Sequence, residues 1–448
     1  MTAVPQVPNV LLLMVDALRP DRLHCYGNEW QTSPAIDRIA SEGVLFERLI
    51  AHSSHTLPAV GAILTGLDPL HHGMINPRTH ANHSWGDWTP PLKVLEQHGR
   101  VVGGFNTFLY NHFGREPNIE NIDEAMPFFE QHRDKPYFLW QFLEQVHLPY
   151  NPAPPYDTAF LPSGHVLNEQ TARRVEIVKS TMIVHPSGRI SQFEQDQLDG
   201  NTGGFDADMD RDIEYERSAA SVDFESEDRI PIVALYDGEV RTVDDQIGQY
   251  VEALERLGIL DDTLLIVTSD HGEELLERGN VGHSSCSLSG TLYEEVIRVP
   301  LILRYPAALP RGKRITTQVS QIDIMPTIFD LLGLPMPAEA QGHSFSPLIQ
   351  DRDTKVAEET FAETLPCGWQ ALKDDHRRIW CLRTPKWKLI FNDFAPQFEC
   401  TYELYDLESD PGEKDNVVDQ HCRVAEELKP RLHAWMNTEK GPGLKSRS

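Results

Sequence analysis

Asp16, Asp270 and His271 are the side chains from which chemistry can first be argued. The run Val10-Leu11-Leu12-Leu13-Met14-Val15 ends on Asp16, and Leu264-Leu265-Ile266-Val267-Thr268-Ser269 ends on Asp270-His271-Gly272. Both runs are short and apolar, the pattern of buried strands in a parallel sheet. Ligands of open parallel sheets bind beyond the carboxyl ends of the strands, so both runs can deliver their last side chains to one rim. Carboxylate oxygens and an imidazole nitrogen suit a divalent cation. A single Asp after a strand means little, because Asp commonly opens a turn. The repeated ending, once with an imidazole attached, points to a metal enzyme.

Other residues gain meaning around that centre. In His55-Thr56-Leu57-Pro58 the threonine falls where a helix N-cap would stand, with proline in the first turn. It reads either as a plain cap or as a hydroxyl among free N–H groups at a positive helix end, where phosphate or sulfate binds. A metal alongside would make that hydroxyl a nucleophile. His147 follows the apolar run Tyr137–Phe142 and reads equally as a general acid or a structural histidine. His283 comes 12 residues after His271 in a loop rich in Gly and Ser, placed to ligate a second metal or to bind an anion's oxygens. Lys388, within Trp387–Phe391, is either a snorkelling surface lysine or a buried ammonium that needs a partner. His52, His55, His71 and His72 read as loop histidines without a catalytic role.

Strand-like and helix-like segments alternate from residue 9 to 110. A helix near Pro34–Gly43 and another near Leu92–His98 fall between apolar strands. The rhythm returns with a helix over Val243–Leu257, the Leu264 strand, a strand over Val299–Arg304 and a helix over Ile324–Leu332. Such alternation implies a parallel sheet covered on both faces. Residues 151–230 interrupt it as a peripheral insertion, and 10 of the 23 residues from Asp206 to Asp228 are acidic. Asp206-Ala-Asp-Met-Asp-Arg-Asp lacks the Gly and terminal Glu of a calcium loop. From about residue 355, short segments and Cys422–Met436 suggest a small antiparallel sheet with a final helix. The chain has 448 residues, 40 Lys and Arg against 68 Asp and Glu, and a net charge of -28. That balance excludes nucleic acid and anionic membrane as partners but admits a small anionic ester, and it leaves self-association into a homo-oligomer open. The first apolar run is too short for a signal peptide or a membrane span. Six scattered cysteines read as free thiols of a cytoplasmic protein.

The ordered motifs resemble the sulfatase branch of the alkaline phosphatase superfamily. Asn9-Val10 through Val15-Asp16-Ala17-Leu18-Arg19-Pro20-Asp21, with Cys25-Tyr26-Gly27 and Thr32-Ser33-Pro34, is similar to its opening segment. Tyr236-Asp237-Gly238-Glu239-Val240, Thr268-Ser269-Asp270-His271-Gly272-Glu273, Val299-Pro300-Leu301-Ile302 and Asp323-Ile324-Met325-Pro326-Thr327 are similar to its middle. Glu403-Leu404-Tyr405-Asp406-Leu407 and Asp410-Pro411-Gly412-Glu413 are similar to its C-terminal signature. The resemblance implies an α/β fold, a large mixed, mostly parallel sheet flanked by helices over residues 1–350. A small C-terminal α+β subdomain follows over residues 351–448. It implies one divalent metal, Mn before Zn, Mg or Ca, held by Asp16, Asp270, His271 and the nucleophile Thr56. His147 becomes the leaving-group acid, and His283 and Lys388 become anion contacts.

The departures set the expected substrate. Sulfatases place a Cys or Ser at the Thr56 position and oxidise it to formylglycine, with an Arg where Val60 stands. Threonine would give a ketone, so its hydroxyl must act directly. Phosphorus esters are then expected, phosphodiesters or phosphonate monoesters, through a phospho-threonine. A sulfatase acting without formylglycine, a phosphotransferase and a non-catalytic anion-binding relative are the alternatives. Ala17 stands where the family has a second aspartate, and Phe105-Asn106-Thr107-Phe108 replaces a Lys/His segment, making Asn106 a candidate substrate contact. No histidine between 113 and 270 has an Asp four residues before it, which favours one metal over two.

Overall fold

The computed structural model describes residues 8–75, 89–104, 119, 121–186, 219–287, 290–352, 358–368, 377–395 and 399–438. The strands among these residues are β1 (Asn9–Val15), β2 (Val44–Ile50), β3 (Val101–Gly104), β4 (Tyr137–Leu143), β5 (Ile183–His185), β6 (Ala219–Ser221), β7 (Thr263–Ser269), β8 (Glu274–Leu275), β9 (Val281–Gly282), β10 (Arg298–Arg304), β11 (Lys313–Ile315), β12 (Val319–Ser320), β13 (Thr360–Thr364), β14 (Arg378–Arg383), β15 (Trp387–Asp393) and β16 (Thr401–Asp406). The large sheet runs β11-β2-β10-β7-β1-β4-β3, with β12 beside β2. Strands β7, β1, β4 and β3 are parallel to one another, whereas β10 is antiparallel to both β7 and β2. This is the mixed, mostly parallel sheet that the sequence implies.

Alternate residues of β1 build opposite faces, as the two-residue period of a strand requires. Val10, Leu12 and Met14 enter one apolar layer with helix α2 (Thr56–Thr65) and the helix Ile324–Leu332. Leu11, Leu13 and Val15 enter the other, against helix α1 (Pro34–Glu42) and the long helix Arg229–Leu257. Each fully buried leucine contributes about 1.5–3 kcal/mol of hydrophobic burial. Register decides the rest: Val15 lies opposite both Leu143 and Ser269. The next residues of three adjacent strands therefore reach one rim together.

The C-terminal sheet, β13-β14-β15-β16, is antiparallel throughout. Trp380, Leu382, Leu389 and Leu404 pack on the helix Cys422–Met436, while Ile379, Cys381 and Ile390 join the main core. The expected insertion contains a helix, Glu169–Val178, and the small β5-β6 pair. Residues 187–218, with the Asp206 run, lie outside the described residues, as does Asn106.

Two elements depart from the sequence expectation. The long helix begins at Arg229 rather than near Val243; Pro231 is tolerated in its first turn. Strand β2 carries Glu47 and Arg48 in its middle, which interrupts the apolar pattern, yet its other five residues are buried. Among the described residues no helix is long and apolar enough to cross a membrane.

Candidate functional site

The rim beyond β1 and β7 holds Asp16, Asp270 and His271, all buried, with one ligand atom from each within 4.8 Å of the others. His271 Nδ1 lies 2.8 Å from the Gly272 carbonyl. A carbonyl only accepts, so Nδ1 carries a proton and the ring turns Nε2 inward. There it faces Asp270 Oδ2 at 3.4 Å and Asp16 Oδ1 at 3.7 Å. Neither of those oxygens has a hydrogen-bond partner. Burial, then the charge of Asp270, holds the Asp16 carboxyl well above its ordinary range, and burial raises Asp270 as well. Two desolvated acids that repel each other, closed by an imidazole nitrogen, fit a divalent cation.

Local structure explains the aim of these groups. Ala17 adopts a left-handed conformation (φ +57°), and its N–H donates to Asp270 Oδ1 at 3.2 Å. Its carbonyl accepts from the Tyr236 hydroxyl at 2.6 Å, and that hydroxyl also accepts from Arg19 N–H at 2.9 Å. Tyr236, Asp237 and Glu239 thus serve as scaffold: Asp237 pairs with Arg22, and Glu239 accepts from Asn151 N–H and Gln145.

Thr56 is the first residue of α2, not its cap; His55 holds the cap position and makes no side-chain cap bond. The threonine hydroxyl is therefore free of the capping role and lies 3.1 Å from His271 Nε2. His52 and His72 are tied to Ser320 and the Pro58 carbonyl, and His71 to Asp68.

His147 and His283 come close to the same rim. The His283 ring is 4.2 Å from that of His271 and 4.8 Å from that of His147. His147, the expected leaving-group acid, stands beside this rim. Its Nδ1 lies 2.6 Å from the Leu148 carbonyl, so Nε2 is the bare nitrogen, and desolvation pushes the ring down to about 4. Sequence reasoning passed over Cys286 and Glu273. Cys286 Sγ lies 3.5 Å from His147 Nε2, and Glu273 Oε1 lies 2.9 Å from His283 Nδ1. The spacing in His283-Ser-Ser-Cys286 was the available signal.

Lys388 is not a snorkelling lysine. It is fully buried, with Nζ 2.8 Å from Glu413 and 3.3 Å from Glu294. Burial alone would lower its pKa, but those two carboxylates hold it above the ordinary value. Arg383 pairs with Glu294 through two bonds of 2.8 Å, and Glu413 also accepts from Glu294 N–H. The C-terminal signature thereby staples β15 to the catalytic layer. Lys388→Met is expected to destabilise the fold by about 3–5 kcal/mol, because it strands buried carboxylates. A thermal melt tests this, and turnover per folded molecule should be retained. An unchanged melt with a raised KM would instead make Lys388 the expected anion contact.

A family model described as sulfatase matches residues 8–334, and one described as the C-terminal part of N-sulphoglucosamine sulphohydrolase matches residues 289–439. The chain is 24% identical to an N-acetylglucosamine-6-O-sulfatase of Bacteroides thetaiotaomicron, over 97% of this chain and 86% of that one. It is 25% identical to an arylsulfatase of Clostridium perfringens, over 95% and 92%. The phosphonate monoester hydrolase of Agrobacterium radiobacter shares the fold with a TM-score of 0.70 at 21% identity, covering 96% of this chain and 95% of that one. A protein solved with its substrate D-glucosamine-2-N,6-O-disulfate matches at 0.70 and 22% identity, covering 96% and 97%. The matched segments run through the strands whose ends build the acid cluster and on through the sheet that Lys388 fastens to them, so the chain belongs to the sulfatase family.

Proposed function

We propose that the protein is a metal-dependent hydrolase of sulfate esters in which unmodified Thr56 is the nucleophile. The observation that carries this reading is the Thr56 hydroxyl at the first turn of α2, 3.1 Å from His271 Nε2 beside two unpartnered carboxylate oxygens. Asp16, Asp270 and His271 would hold the divalent ion, with Thr56 beside them. When bound, the ion supplies positive charge that acidifies the hydroxyl and offsets the anion's charge. The start of α2 adds backbone N–H groups and the positive dipole end toward the ester oxygens. Thr56 Oγ1 attacks sulfur, the bond from sulfur to the alcohol oxygen breaks, and the hydroxyl proton ends on the departing alcohol. Water attacks the sulfur of the sulfo-threonine, releasing sulfate and restoring the hydroxyl. The names of the relatives favour sulfate over phosphorus, and one of them adds sugar sulfates to the candidate substrates.

A second reading is phosphonate monoester or phosphodiester hydrolysis. Thr56 favours it, because a threonine cannot become formylglycine, whose second hydroxyl eases release of sulfate. Measuring kcat/KM on matched aryl sulfate, phosphonate, phosphodiester and phosphate esters with Mn²⁺ decides between them. The sulfate is expected to lead. A lead for the phosphonate or diester would move the assignment to phosphorus.

A further inference from the structure

We infer that a second metal ion, zinc by ligand type, binds beside the first at His147, His283 and Cys286. Among the described residues these three form the other group whose ligand atoms lie within 4.8 Å of one another. Cys286 Sγ is 3.5 Å from His147 Nε2 and 4.0 Å from His283 Nε2. Tetrahedral zinc, with bonds of about 2.3 Å to sulfur and about 2.0–2.1 Å to nitrogen, places such atoms about 3.5 Å apart. The distances are those of a site slightly open around its ion.

The protonation pattern is set for metal. Both imidazoles have their Nδ1 occupied: His147 donates to the Leu148 carbonyl at 2.6 Å, and His283 Nδ1 shares a hydrogen bond of 2.9 Å with Glu273 Oε1. Both Nε2 atoms are left facing the thiol. A carboxylate behind a ligating histidine is the usual outer partner of a zinc site, fixing the tautomer and raising the basicity of the other nitrogen. Cys286 sits on the short helix Ser284–Ser287, whose first turn returns its N–H to the His283 carbonyl at 2.9 Å, so the two ligands are held by one turn. Binding would deprotonate the thiol, the proton leaving to solvent. Soft thiolate and imidazole select zinc here, while the carboxylates of Asp16 and Asp270 suit a harder ion. Three protein ligands leave a fourth position for water or an ester oxygen, the ligand count of catalytic rather than structural zinc. His147 is half-buried, which leaves that position an approach.

The aspartate-based element whose absence favoured a single metal is therefore replaced by a cysteine-based one. The inference goes beyond the choice of ester, and metal content is read without substrate, so either can fail alone. The full-length chain, purified with zinc and Mn²⁺ supplied, is analysed for bound metal as wild type, Cys286→Ala and Asp270→Asn. Two ions per chain are expected in the wild type, with the zinc lost in Cys286→Ala and kept in Asp270→Asn. Wild type loaded with Co²⁺ should show thiolate-to-cobalt charge-transfer absorption in the near ultraviolet, a reading that needs no variant to fold. One ion per chain, or a cobalt protein without the thiolate band, would overturn the second site.

Discussion

Thr56→Ala is expected to lower kcat by on the order of 10³-fold or more, the scale of losing a nucleophile, while Mn²⁺ content stays at the wild-type level. The structure separates the hydroxyl's chemistry from its scaffolding. Thr56 is the first helical residue and not the cap, so alanine removes no capping bond and suits the helix at least as well. Its hydroxyl lies within hydrogen-bond distance of His271 Nε2. Asp16, Asp270 and His271 remain to hold the ion, two of them through charged oxygens. Thr56→Ser keeps a hydroxyl and should retain most of the turnover. Kinetics on the best ester of the matched panel, with metal analysis of the same preparations, test the point. Turnover by Thr56→Ala within a few fold of wild type would remove the threonine from the chemistry and return attack to water.

Why the acid cluster was legible in the sequence follows from how a parallel sheet is made. Strand ends are local: Val15-Asp16 and Ser269-Asp270 are written in consecutive residues, and in-register pairing of β1 with β7 turns two local facts into one site. The final helix Cys422–Met436 and the helix Ile324–Leu332 were legible for the same reason, each carrying its own apolar period and terminator. Lys388 was different. Its apolar neighbours marked a strand but not what covered it, and only the fold brings Glu294 and Glu413 onto its ammonium. Cys286 escaped because its partners lie 3 and 139 residues away, on a different strand end in the latter case. Thr56 was found at the right helix end but given the cap's place, since a Ser/Thr-Pro entry does not say which residue first adopts helical angles. Strand β2 was hidden by Glu47 and Arg48, two polar residues that a strand near a sheet edge can carry outward.

Asp270→Asn is expected to abolish the Mn²⁺-dependent part of thermal stability and to invert its rank against wild type when metal is withdrawn. The amide keeps Oδ1, which accepts from Ala17 N–H at 3.2 Å and from His271 N–H at 2.7 Å, and replaces Oδ2, which has no partner. The fold is preserved and the charge is lost. In the chelated wild type, burial and then Asp270 raise Asp16 above its ordinary 3.8, and burial raises Asp270. A carboxyl raised in the folded state contributes stability that is complete below its unfolded value and is lost as pH climbs through the raised value. The chelated wild type should therefore melt progressively lower as pH rises above the ordinary carboxyl range toward the raised values of this pair. The variant, with one of two facing charges gone, should fall less over the same range. Glu239, Asp244 and Glu274, each pushed up to about 7 chiefly by burial, titrate in both proteins and cancel in the comparison. Mn²⁺ at about 100 times its Kd should add about 2.7 kcal/mol to the wild type and nothing to the variant. At the alkaline end of that fall, melts in chelator and in Mn²⁺ give opposite orders: the variant higher without metal, the wild type higher with it. An Asp270→Asn protein whose melting temperature still rises with Mn²⁺ as the wild type's does would remove the Asp270 carboxylate from the metal site.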